Sequence, residues 1–119
     1  WKSGNFSREK LKLGWMPPHP TFYCRRSAYT QMGMFDVSFD IAADYDCMLR
    51  FLTSKKFSCA YIPEVLVRMR VGGKSNRSLS NIVRKSIEDY RALTQNNIGG
   101  ISVLMAKNLR KILQFFHRN

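Results

Sequence analysis

A chain of 119 residues suits one small domain and leaves little room for two, and a 45% hydrophobic content allows a packed core. The net charge of +12, from 20 basic and 8 acidic residues, favours anionic partners (nucleic acid, anionic lipid or phosphorylated small molecules) without choosing among them. No apolar run approaches the ~20 residues a membrane span needs, no signal peptide is recognisable, and the three cysteines are odd in number and form no CxxC pair.

In chain order, Trp1 is not an initiator Met, so the chain reads as a piece of a longer one. A helical turn is expected at 8–13. Pro17, Pro18 and Pro20 bar a helix around His19, because each lacks an amide donor and pushes its predecessor extended. Residues 21–24 are aromatic and β-branched and read as a strand. Ser27 is placed to cap a short helix that stops at Gly33.

After a loop, Tyr45, Met48, Leu49 and Leu52 recur at i, i+3, i+4 and i+7, the buried face of a helix over about 42–55. Residues 57–62 and 65–71 look like two short strands broken at Pro63, with Gly72-Gly73 ending the second. A helix over 79–93 carries the i,i+4 pairs Arg84/Glu88 and Lys85/Asp89, and Ile98-Gly99-Gly100 breaks the chain. A last helix at 101–117 aligns Met105, Leu109, Ile112 and Phe116 on one stripe, expected to pack on the domain; docking on anionic lipid is the alternative. Alternating strands and helices, then two helices, predict an α/β domain over 1–77 and a helical tail over 78–119.

Cys24, Cys47 and Cys59 sit among apolar neighbours and read as buried reduced thiols, which suits a reducing compartment. His19 and His117 lie far apart and show no zinc spacing, so no metal ligands are assigned within the chain. Walker, dinucleotide-glycine and GxSxG motifs are absent. The acids are unevenly placed: Asp36, Asp40, Asp44 and Asp46 crowd one stretch of a basic chain.

Asp44 stands where loop turns into helix. It can act as a first-turn carboxylate accepting backbone amides, or as a rigidly held general base. Asp46 can pair with Arg50 on the outer side of the helix or touch a substrate. His19 can line a cleft or pack between its prolines. Arg70, Lys74 and Ser75 can meet a diphosphate or stay solvated.

The segments Pro18-His19-Pro20-Thr21-Phe22-Tyr23-Cys24-Arg25-Arg26, Gly33-Met34-Phe35-Asp36 and Ala43-Asp44-Tyr45-Asp46-Cys47-Met48-Leu49-Arg50, then Ile62-Pro63-Glu64-Val65-Leu66-Val67-Arg68-Met69-Arg70-Val71-Gly72-Gly73-Lys74-Ser75, stand in one order. In that order and spacing they resemble the second half of a family 2 bacterial glycosyltransferase. The resemblance covers residues 1 to about 75. It implies the C-terminal part of a GT-A, Rossmann-like domain, with the nucleotide-binding half and its metal-holding DxD motif upstream.

It also implies inverting transfer from a nucleotide-diphosphate sugar to a glycan or lipid-linked acceptor, in bacterial cell-surface polysaccharide assembly. Asp44 matches the acceptor base, and His19, Asp46, Arg70, Lys74 and Ser75 are the candidate substrate contacts. A divalent metal (Mg or Mn), held mostly by upstream ligands, is the implied cofactor. The implied location is cytoplasmic, at the inner face of the membrane, with peripheral contact to anionic lipid. The chain departs from the pattern in having Ala43 where many relatives carry an acid, and no His near Gly72. The competing reading is a basic nucleic-acid-binding module without catalytic activity, motivated by the charge and by Tyr and Phe interleaved with Arg near 22–29. The acids at 36–46 would repel phosphates, so nucleic acid is not the expected partner.

Overall fold

The computed structural model describes residues 4–68 and 78–116, with side chains as far as residue 113. Helix α1 (Arg8–Lys12) starts at Ser7, whose hydroxyl accepts the Lys10 N–H at 3.3 Å. A 3-10 turn (His19–Thr21) follows, then α2 (Arg26–Met32), α3 (Ala43–Thr53), α4 (Leu79–Gln95) and α5 (Ile101–Phe116). Helix α3 is the hub: α1, the 3-10 turn, α2 and α4 all pack on it, and α5 packs on α4.

The periodicity of α3 explains its place. Tyr45, Met48, Leu49 and Leu52 are all buried, and they meet Leu11, Trp15, Phe39, Ala92, Leu93, Ile98 and Val103 in one core. That core draws residues from both sides of position 77. Gly33 ends α2 at φ +87, a conformation that favours glycine, whereas Ser27 lies in the first turn of α2 and Arg25 occupies the cap position.

The expected α/β architecture is overturned. Among the described residues every regular element is helical and no strand forms, so this is not a Rossmann-like sheet with a helical tail. The physical reason is that β-propensity describes fitness for a paired, half-buried surface rather than a backbone state of its own. Residues 21 and 22 spend their amides locally: the Thr21 N–H goes to the Pro18 carbonyl (2.9 Å) and the Phe22 N–H to that of His19 (3.0 Å). Residues 58–66 are exposed and have no neighbouring strand, so nothing rewards an extended pairing there. The remainder of the expected strand, 69–71, and Gly72-Gly73 lie outside the described residues.

The placement of α5 is also corrected. Its apolar stripe does not pack on the domain: Met105, Leu109 and Ile112 are each more than half exposed. The side chain of Phe116 lies outside those described. Val103 and the ammonium of Lys107 face inward instead. Lys107 Nζ reaches Asp89 at 2.5 Å and lies 3.5 Å from the ring centroid of Tyr45. The backbone of α5 also rests on Gly14, where an added Cβ would come within 2.3 Å of the Lys107 nitrogen. A buried ion pair and a close backbone approach set the rotation of this helix against its hydrophobic pattern.

The thiols divide. Cys47 is buried, and burial pushes it up to about 11; Cys24 is half-buried and Cys59 exposed, which corrects the expectation that all three are buried. All three are free. No helix among the described residues is long and apolar enough to cross a membrane.

Candidate active site

The four clustered acids separate into four different environments. Asp36 accepts the Ser38 N–H at 2.9 Å, and the Ser38 hydroxyl and amide hold its carboxyl below the ordinary range. Asp40 pairs with Arg84 at 3.2 Å on the surface. Asp46 is only 3% exposed. Its Oδ2 accepts from Arg50 Nε at 3.0 Å and its Oδ1 from Asn96 Nδ2 at 2.9 Å, tying α3 to the end of α4. The expected Asp46–Arg50 pair therefore exists, but it is buried rather than on the outer side.

Asp44 is different. It is the second residue of α3; its Oδ1 accepts the Tyr45 N–H at 2.8 Å, and its Oδ2 lies 3.5 Å from His19 Nδ1. The side chains are 35% and 52% exposed, so both reach solvent. His19 is positioned by its own turn: the Thr21 hydroxyl donates to the Pro18 carbonyl at 2.8 Å, and Phe22 stacks on Phe51 of α3. The prolines, expected to bar any helix, bar only an α-helix: Pro18 and Pro20 fit a 3-10 turn that delivers the imidazole to the start of α3.

Asp44 is not the cap of α3. The cap position is Ala42, which has no side chain to offer. The amides of Asp40, Ile41 and Ala42 are bonded instead by the Glu88 carboxylate, at 3.1, 2.8 and 2.8 Å. Burial acts to raise Glu88, but these three N–H groups outweigh it and hold the carboxyl below its ordinary value. Sequence reasoning missed this residue and paired Glu88 with Arg84, which goes to Asp40. The available signal was negative: the helix begins at Ala42-Ala43 and lacks a local cap.

Arg50 is a second residue whose role lay hidden. Besides Asp46, its guanidinium donates to the carbonyls of Met32 (2.6 Å), Gly33 (3.3 Å) and Met34 (2.6 Å), closing the end of α2. It thereby fixes the loop that leads to α3.

Of the candidate contacts, the fold brings His19 to Asp44 and buries Asp46 behind them; Arg70, Lys74 and Ser75 lie outside the described residues. No group of three or more His, Cys, Asp or Glu side chains among the described residues could hold a metal ion. A groove of ≈ 670 Å³ runs along α4 between Asp40, Leu79, Val83 and Ile87, and neither Asp44 nor His19 lines it. The chemistry that the Asp44–His19 pair supports is proton abstraction. A carboxylate in this position can accept a proton from a hydroxyl bonded to it. No protein-family model matches the chain, and neither a curated protein nor a solved structure does.

Proposed function

We propose that the chain supplies the acceptor side of an inverting sugar transfer, with Asp44 as general base. The acceptor hydroxyl gives its proton to Asp44 as its oxygen bonds to the anomeric carbon; the bond to the nucleoside diphosphate breaks, and that group leaves with the electron pair. The observation that carries this reading is the exposed Asp44 Oδ2 facing His19 Nδ1 at 3.5 Å, with the neighbouring capping duty taken by Glu88. The ordered resemblance to family 2 glycosyltransferases is what selects Asp44 for this role. A nucleotide-diphosphate sugar is the proposed donor and a glycan or lipid-linked molecule of the bacterial cell surface the acceptor. The nucleotide and a divalent Mg or Mn ion are assigned to residues outside this chain. Three free thiols suit a cytoplasmic location.

The test is Asp44→Asn in the full-length protein, with nucleoside diphosphate release from a panel of nucleotide sugars as the readout. Asparagine preserves size and helix-start bonding but cannot take the proton, so turnover drops by roughly 10²–10⁴-fold with the melting temperature unchanged. Turnover within tenfold of wild type refutes the assignment.

A further inference from the structure

We infer that residues 56–64 pair with the same residues of a second copy as an antiparallel two-stranded ribbon. Residues 58–66 are all exposed, and no backbone N–H or C=O of residues 57–66 is bonded to another described residue. The side chains above this open backbone, Phe57, Cys59, Tyr61, Ile62 and Val65, suit a pleated surface. From Phe57 to Val67 the one charged residue is Glu64, in a chain that is otherwise rich in charge. A row of unbonded amides and carbonyls beneath such side chains is a template for strand addition.

Glu64 selects the occupant. Every other acidic side chain is engaged within the fold, whereas Glu64 and the exposed Lys56 have no side-chain partner among the described residues. An antiparallel pair with its twofold axis at Ala60 sets Lys56 against Glu64 of the second copy, and Glu64 against its Lys56. In that register Pro63 faces Phe57 and Cys59 faces Tyr61. Pro63 also fixes the hydrogen-bond phase. Lacking an N–H, it belongs in a non-bonded pair, and by alternation Ala60 faces its own copy in a bonded pair, as Ser58 faces Ile62. Phe57, Cys59, Tyr61 and Pro63 of both strands then share one face. Moving the axis to Cys59 sets Lys56 against Ile62, and moving it to Tyr61 sets Lys56 against Leu66, so one register alone joins both charges. Whole copies repel at +12 each, but each strand of the ribbon holds one Lys and one Glu. Salt that screens the general repulsion therefore strengthens the association. Asp44 and His19 take no part, so Asp44→Asn leaves the association unchanged, and the sugar-transfer reading is tested separately.

The experiment is sedimentation velocity of the full-length protein over a concentration series, at low salt and at about 0.3 M salt. The expected result is a concentration-dependent dimer, stronger at the higher salt. Lys56→Glu or Glu64→Lys alone weakens it roughly tenfold, because the twofold axis counts each change twice, and the two together restore it. Both side chains are exposed and without partners, so the melting curve is expected to hold. Oxidation reads the register in a Cys59→Ser background. Ala60→Cys places two Cα atoms about 5.5 Å apart across the axis, within disulfide range. Diamide joins the two thiols, its N=N bond taking up both hydrogens, whereas Tyr61→Cys faces Ser and stays reduced. Hydrogen exchange of the wild type needs no variant: amides at 58–62 slow as concentration rises. A monomer at every concentration and salt overturns the inference, and slow exchange at 57–66 in that monomer would show that the protein's own chain covers the segment. A dimer indifferent to the charge exchange, or crosslinked as fast through Tyr61→Cys as through Ala60→Cys, overturns it too.

Discussion

Glu88 and Ala42 stand 46 residues apart, yet the Glu88 carboxylate accepts the Ala42 N–H at 2.8 Å, and those of Ile41 and Asp40 with it. A helix whose own cap position is alanine is closed by a carboxylate from another helix, and the same contact joins α4 to the segment that presents Asp44. Glu88→Ala is expected to cost about 1–2 kcal/mol, the range of a lost cap or a charged hydrogen bond. The pH dependence follows from the lowered carboxyl. The unfolded chain binds the proton first, so this contribution is complete above the ordinary value of 4.5 and is lost as pH falls through the lower folded-state value. Urea midpoints of wild type and Glu88→Gln should converge in acid; a constant gap down to the lowest pH refutes the assignment.

Lys107 and Asp89 form the buried end of the α4–α5 contact, with Lys85 on the same carboxylate at 2.5 Å. Lys107→Met leaves Asp89, 1% exposed, with Lys85 alone. The loss expected is about 3 kcal/mol, the low end for a broken buried pair because one cation remains. Burial pushes the Lys107 ammonium down to about 7, against the attraction of Asp89. Between there and 10.5, the unfolded chain carries the extra proton, so stability rises with pH across that window. Chemical denaturation from pH 6 to 8, below the range of the three thiols, checks this, and the rise should be smaller in Lys107→Met.

Gly14 has φ +74 and supports the backbone of α5 at Ala106 and Lys107. Gly14→Ala places a methyl group 2.3 Å from a backbone nitrogen, where no side chain can yield. Overpacking at about 1–3 kcal/mol, added to a left-handed backbone at about 1 kcal/mol, should displace α5 from the Leu13–Gly14 turn. Faster hydrogen exchange confined to residues 101–113 is the expected signature, whereas uniform exchange would show that the approach is relaxed elsewhere.

Asp46 and Asp44 share one helix turn, and substitution separates the proposed base from its buried neighbour. Asp46→Asn disturbs the bonds to Arg50 and Asn96 and should lower stability by about 1–3 kcal/mol. Its effect on turnover, measured well below the melting temperature, should stay within tenfold. Asp44→Asn should show the reverse pattern. If Asp46→Asn is the more damaging to rate, the base has been placed on the wrong carboxylate.

Local signals were readable in the residues themselves. The 3.6-residue spacing of Tyr45, Met48, Leu49 and Leu52, the stop at Gly33, the break at Gly99-Gly100 and the Lys85/Asp89 pair all depend on neighbours a few positions away. Such patterns report which face of a helix can be buried, because geometry within one element is fixed by the backbone period. What they cannot report is the partner. Whether residues 57–68 become strand depends on another chain segment offering N–H and C=O groups, and none of the described residues does. Which face of α5 turns inward was settled by Gly14, Asp89 and Tyr45, each remote in sequence, and an ion pair outweighed the apolar stripe. Asp44 was legible as a carboxylate at a helix start. That it faces His19, while Glu88 covers the amides before it, follows only from α3 packing against the 3-10 turn and α4 together. Hydrogen bonds and ion pairs between distant segments carry no sequence period, so the tertiary structure alone decides them.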